Sequence, residues 1–236
     1  DARNALEAAR LLDDDSLTKV TVLNALNDAF LALEPRHPRG EAWHQSLIRA
    51  REVLRQRLAA FEDGRQPTIV SIGHAHIDVA WLWPLSVTRG KAARTFCTAL
   101  KLMEQYPDYH FTQSQPQLYR FVQEDHPDLF QRIRERVREG RWEPTGGMWV
   151  EADTNVPSGE SLVRQFLFGK RYFRREFGVD NELLWLPDVF GYNAALPQIM
   201  LGAGVRYFST TKISWNEANR FPYDTFWWEG IDGSRV

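Results

Sequence analysis

Apolar residues early in the chain recur at three- and four-residue steps. Val20, Leu23, Phe30 and Leu31, with Asn27 in phase, follow a capping candidate at Asp15 or Ser16, and Pro35 stops the run. Trp43, Leu47, Ala50, Leu54, Leu58 and Phe61 form a second stripe over residues 39–61. "EDGRQP" then breaks the periodicity. Residues 1–64 therefore read as a short helical unit of two helices, and residues 65–236 as a separate main domain.

From residue 68 the period changes. "TIVSIGHA" (68–75), "HFTQSQ" (110–115), "WEPTGGMWV" (142–150), "ELLWLP" (182–187) and "RYFSTTK" (206–212) read as strands. Between them lie helical stretches over residues 86–106, 117–139, 158–177 (capped by Ser158) and 196–203. Strands alternating with helices predict βαβ units and a parallel sheet. Right-handed crossovers then put every strand's C-terminal end at one edge, where α/β folds bind ligands. The residues at that edge are His74, His76 and Asp78; Gln113 and Gln115; Trp149, Glu151, Asp153 and Asn155; Asp188; and Thr210, Thr211 and Lys212. Five polar clusters in register at apolar strand ends predict an active site there.

Composition narrows the partners. Twenty-nine basic residues against 31 acidic ones leave a net charge of −2, without the basic excess that nucleic acid or an anionic membrane surface would select. The run "QRIRERVREGR" (131–141) is interrupted by carboxylates and reads as a solvated helix face. No apolar run approaches the roughly 20 residues of a membrane-spanning helix. The lone Cys97 cannot form an internal disulfide, which fits a reducing compartment and a cytoplasmic location. Nine tryptophans supply either core or plates on which sugar rings stack. The chain ends inside the strand-like "WWEGIDGSRV", and the expectation is a piece of a longer polypeptide.

His76 and Asp78 are two residues apart, so on an extended strand both face the same side. An imidazole nitrogen and a carboxylate oxygen there can hold zinc or another borderline divalent metal. The same pair also reads as a core histidine beside a helix-capping aspartate. His74 shares the face and is expected to support rather than ligate. Asp188, in "WLPDVFGYN", follows an apolar strand, with Pro187 fixing the backbone and Gly191 permitting a sharp turn. It can bind the metal, act as nucleophile, do both, or cap the next helix. Trp81 and Phe190 each lie close after one of these acids and can floor a sugar site; Trp83 reads as core.

Five blocks taken in order, "GHAHIDVAWLWP", "FTQSQPQLY", "GRWEPTGGMWVEADTNVPSGESLVRQ", "LWLPDVFGYNAALPQI" and "TTKISWNEANRFPYDTFWWEGIDGS", resemble the catalytic domain of glycoside hydrolase family 38 α-mannosidases, in particular the cytosolic and vacuolar branch with its bacterial members. The resemblance covers residues 66–236 and, more loosely, the helices before them. It implies a parallel seven-stranded (β/α) barrel, here incomplete, and a zinc ion, with Co2+ as the alternative metal. It implies retaining hydrolysis of terminal α-mannosides. Carried over position by position, it implies His76, Asp78 and Asp188 as metal ligands, Asp188 also as nucleophile, and Trp81 and Phe190 as substrate-binding rings. The partner implied is an α-mannoside glycan or oligosaccharide. The family's further histidine ligand and its acid/base aspartate lie beyond these blocks. No histidine follows His126, and neither Asp224 nor Asp232 sits at the acid's place. The 236 residues alone are thus expected to be inactive, and an incomplete sheet leaves an unpaired edge that invites a homo-oligomer.

Two other classes fit parts of the pattern. An amidohydrolase or polysaccharide deacetylase also places His-x-His or His/Asp pairs after an early strand, but needs histidines at later strand ends. A non-catalytic carbohydrate-binding fragment would use the aromatics alone.

Overall fold

The computed structural model describes residues 2–36, 38–61, 69–219 and 221–236. The break "EDGRQP", and with it the proposed boundary near residue 64, lies outside the described residues. The chain divides into two compact units, Asp1–Val70 and Ser71–Val236.

Among the described residues the first unit holds three α-helices, α1 (Ala2–Arg10), α2 (Leu17–Leu31) and α3 (Glu41–Leu58), where two were expected. Ser16 caps α2 by accepting the Lys19 amide at 3.4 Å. The buried face of α2 is not the expected one. Val22, Ala25 and Ala29 pack inward, and Phe30 and Leu31 are each 71% exposed. Ala5, Ala9, Ala25 and Ala29 pack there with Val22 and with Leu54 of the expected α3 stripe, and Leu26 and Leu58 lie against them.

The second unit is mixed α/β, and all its strand pairs are parallel. β1 (Gly73–His74), β2 (Phe111–Gln113) and β3 (Trp142–Pro144) form one sheet in that order, and β4 (Leu183–Trp185) and β5 (Tyr207–Ser209) form another. Each ladder is two or three residues long, shorter than the alternation in sequence suggested. The residues after each ladder turn into loops that carry the polar groups. Between the strands run α4 (Leu85–Gln105), α5 (Pro116–Asp125), α6 (Pro127–Arg138), α7 (Gly159–Phe177) and α8 (Leu196–Gly202). The stretch 117–139, expected as one helix, is two. Pro127 has no amide proton and pushes His126 out of helical geometry, to φ −142° and ψ 66°. The C-terminal stretch is a tight return and not a long strand: Trp228 and Val236 exchange backbone hydrogen bonds of 3.0 and 3.1 Å around Gly233 at φ +84°.

The main core lies between the first sheet and α4–α7. Trp142 is 1% exposed and sits edge-on to Phe96 and Phe111 at 5.2 and 4.8 Å between ring centroids. Its indole N–H donates to the Tyr119 hydroxyl at 2.9 Å, which donates to the Gln113 carbonyl at 2.9 Å. This chain of bonds fixes the end of β2 relative to β3 and α5. A second core, built on Leu162, Phe166, Leu184, Leu186, Leu196 and Met200, seats β4. Trp142→Ala should cost about 3–5 kcal/mol, because it opens a large cavity and removes the donor to the buried Tyr119 hydroxyl. Denaturant unfolding measures this, and an unmoved midpoint would show that the chain unfolds without disrupting this core.

Candidate active site

Three consecutive strand ends and one later loop converge on His76. Its Nε2 lies 3.1 Å from Asp78 Oδ1 and 3.4 Å from Asp188 Oδ2. One ligand atom from each of His76, Asp78 and Asp188 lies within 4.8 Å of the other two. The opposite ring nitrogen, Nδ1, is 2.6 Å from Glu151 Oε2. Glu151's other oxygen accepts a short hydrogen bond from the Ser114 hydroxyl. The hydrogen bond to Glu151, and then the charges of Glu151 and Asp78, outweigh burial and lift the His76 pKa to about 9. Three carboxylates about one imidazole draw positive charge, and a proton or a divalent cation can supply it.

The local backbone explains this convergence. His76 and Asp78 meet on one side, with Ile77 between them buried in the main core. Asp78 and Asp188 are not helix caps: α4 begins after Pro84 and α8 after Ala195. Gly191 lies outside the positive-φ region, so it is not needed for an unusual turn. Its bare Cα instead admits Asn155, whose side-chain Nδ2 lies 2.5 Å from where a Cβ would sit. Thr154 accepts from the Asn193 amide at 2.9 Å and donates to the Gly191 carbonyl at 3.2 Å, which ties the loop after β3 to the loop carrying Asp188.

Asp188 has a second partner. Lys212 Nζ lies 2.6 Å from its Oδ1, and the lysine side chain is only 8% exposed. The ammonium is held between the Phe190 ring, at 4.8 Å to the centroid, and the Trp215 ring, at 3.2 Å. Phe190 is thereby joined to the acidic group through Lys212 and remains exposed. Trp81 is also exposed, and its ring meets Trp83 edge-on at 5.8 Å. Trp83 is half-buried and donates to the Thr88 hydroxyl at 2.9 Å. His74 faces elsewhere: its Nε2 accepts the Trp185 indole N–H at 3.2 Å, and burial pushes its pKa down.

His76, Asp78 and Asp188 were legible as site candidates. Glu151, Ser114, Gln115 and Lys212 were not assigned roles, although all but Ser114 stood out at the polar edge. Their signal was position at a strand end; their partners are far away in sequence. The donor set fits a metal: one imidazole nitrogen and two carboxylates on its edge match a borderline divalent cation such as zinc.

Comparison with known proteins places the chain. The profile of the glycosyl hydrolases family 38 N-terminal domain matches residues 66–236. Alpha-mannosidase G of Dictyostelium discoideum is 51% identical over 171 residues, 72% of this chain and 16% of its own length. Alpha-mannosidase of Saccharomyces cerevisiae (strain ATCC 204508 / S288c) is 38% identical over 242 residues, 98% of this chain and 22% of its own. The crystal structure of an alpha-mannosidase from Enterococcus faecalis V583 superposes with a TM-score of 0.59 at 22% identity, over 70% of this chain and 19% of that one. The chain thus spans about a fifth or less of the relatives it matches.

Proposed function

The chain belongs to glycosyl hydrolase family 38, and from that premise we propose that it is part of the catalytic domain of a retaining α-mannosidase acting on terminal α-D-mannosides. The observation that carries this reading is the meeting of His76, Asp78 and Asp188 at the strand C-termini, with Lys212 seated on Asp188. In this reading the two small sheets are arcs of one seven-stranded parallel barrel. His74 of β1 contacting Trp185 of β4 supports it, since strands of separate sheets meet there.

His76, Asp78 and Asp188 would hold the metal, zinc or Co2+. When bound, it supplies a Lewis acid that grips sugar hydroxyls and keeps neighbouring carboxylates ionised. Asp188 is the nucleophile. A retaining glycosidase needs one carboxylate to attack the anomeric carbon and a second carboxyl about 5–5.5 Å away to protonate the leaving group. Lys212, desolvated between two rings, holds Asp188 Oδ1 by a charge-assisted bond and leaves the rest of the carboxylate to approach the sugar. Trp81 and Phe190 present exposed apolar faces for the sugar ring. Among the described residues no helix is long and apolar enough to cross a membrane. A cytoplasmic location and an oligosaccharide substrate complete the reading.

The deacetylase and amidohydrolase reading needs histidines at later strand ends. His74 is spent on Trp185, and His110 faces the Asp108 carbonyl at 3.0 Å. The test is hydrolysis of an aryl α-mannoside by the full-length protein, followed by proton NMR. The first-formed mannose should be the α anomer. Release of the β anomer, or no cleavage of α-mannosides beside cleavage of an N-acetyl sugar, would sink the proposal.

A further inference from the structure

We infer that Glu151 is a positioning residue for His76, held in place by Ser114 and Gln115, and that it sets the metal affinity of the site. This rests on the metal-binding reading above. The side chain of Glu151 is 4% exposed, and both of its oxygens are occupied, one by His76 Nδ1 and one by Ser114 Oγ. Its backbone amide donates to Gln115 Oε1 at 3.2 Å. The other end of the same Gln115 amide donates to the Ile77 carbonyl at 2.8 Å. Ile77 joins His76 to Asp78, so the bonds close a ring: Glu151 to the His76 imidazole, along the backbone to Ile77, across Gln115, and back to Glu151.

That ring constrains the site from two sides. Gln115 sets the distance between the loop after β1 and the loop after β3. Glu151 accepts a hydrogen bond from Nδ1–H and so fixes which nitrogen is left to bind a metal. With Nδ1–H committed to Glu151, the neutral ring that a metal requires carries its lone pair on Nε2, which already faces Asp78 and Asp188. A carboxylate on the far nitrogen also makes the ligating nitrogen a stronger donor. Gln115 sits at φ +64°, a left-handed conformation unusual for a side chain with a Cβ, and is 3% exposed. Two side-chain hydrogen bonds to backbone groups, one of them buried, account for that conformation being kept.

Glu151 does not itself serve as a ligand or as the acid. Its two oxygens are spent, and the group whose atoms converge within 4.8 Å contains His76, Asp78 and Asp188 without it. Nor is it a plain structural ion pair, because its partner is a ring whose other nitrogen points at two carboxylates.

The test is Co2+ binding to the metal-free full-length protein, read as affinity and as the visible ligand-field spectrum. Glu151→Ala should weaken Co2+ about 10–100-fold and alter the spectrum, and Glu151→Gln, which keeps an oxygen to accept from Nδ1–H, should weaken it about 3–10-fold. Gln115→Ala should fall between wild type and Glu151→Ala. Wild-type affinity and spectrum in Glu151→Ala overturn the assignment. If that variant fails to fold, an unchanged affinity and spectrum in Glu151→Gln overturn it instead. Failure of the wild-type protein to bind Co2+ would strike the metal reading itself, whereas tight wild-type binding with indifferent variants strikes only the role of Glu151.

Discussion

Asparagine at position 188 should lower kcat on an aryl α-mannoside by about a thousandfold or more, since losing a nucleophile typically costs several orders of magnitude. The substitution preserves volume and most of the surroundings. Asp188 is about a third exposed, so the loss does not come from a collapsed core. What disappears is the negative charge that pairs with Lys212 and that, in the proposed mechanism, attacks the anomeric carbon. Lys212 is buried at 8% exposure, and an amide oxygen accepts its bond more weakly than a carboxylate does. The variant should therefore unfold somewhat more easily, by about 1–3 kcal/mol. The two effects separate in the measurement, because a kinetic loss of this size exceeds what partial unfolding can produce while circular dichroism still reports a folded chain. Turnover near the wild-type rate would remove Asp188 from the nucleophile's role.

The helix ends were readable because their causes are local. Ser158 accepts the Ser161 amide at the start of α7, and Gly178 ends it at φ +73°. The split at Pro127 has an equally local cause, yet the apolar period runs through it, and periodicity alone hides a one-residue interruption. Strand extent was overread because alternation describes which way side chains point and says nothing about whether a neighbouring strand continues. In the helical unit Ala50 and Leu54 of the expected α3 stripe are buried, but on α2 the large apolar residues drew the eye while Val22, Ala25 and Ala29 make the contacts.

The site divides the same way. His76 and Asp78 are two residues apart, so strand geometry exposes their partnership directly. Glu151 is 75 residues from His76, and Gln115 is 38 from Ile77. Such links exist only after the sheet order brings β1, β2 and β3 side by side. A sequence shows that Glu151 stands at a strand end, but not that its carboxylate turns toward an imidazole and away from solvent.

Removing divalent metal by exhaustive chelation should abolish α-mannosidase activity in the full-length protein, by at least about a hundredfold, and Zn2+ or Co2+ should restore it. The reason lies in the charge arrangement. Asp78, Glu151 and Asp188 surround one imidazole, and His76 in the absence of metal holds a proton to a pKa of about 9. At neutral pH that proton occupies the position a cation would take, so the stripped chain presents a bonded imidazolium and carboxylates turned toward it, with nothing to orient sugar hydroxyls. His76→Ala should show the same loss without rescue by added metal, because two carboxylates remain where three donors converged. Rescue by zinc in the stripped wild type but not in His76→Ala separates loss of the ion from loss of its ligand. Full activity in a chain shown metal-free by elemental analysis would make the convergence on His76 an ion-pair network and remove the metal from the proposed mechanism.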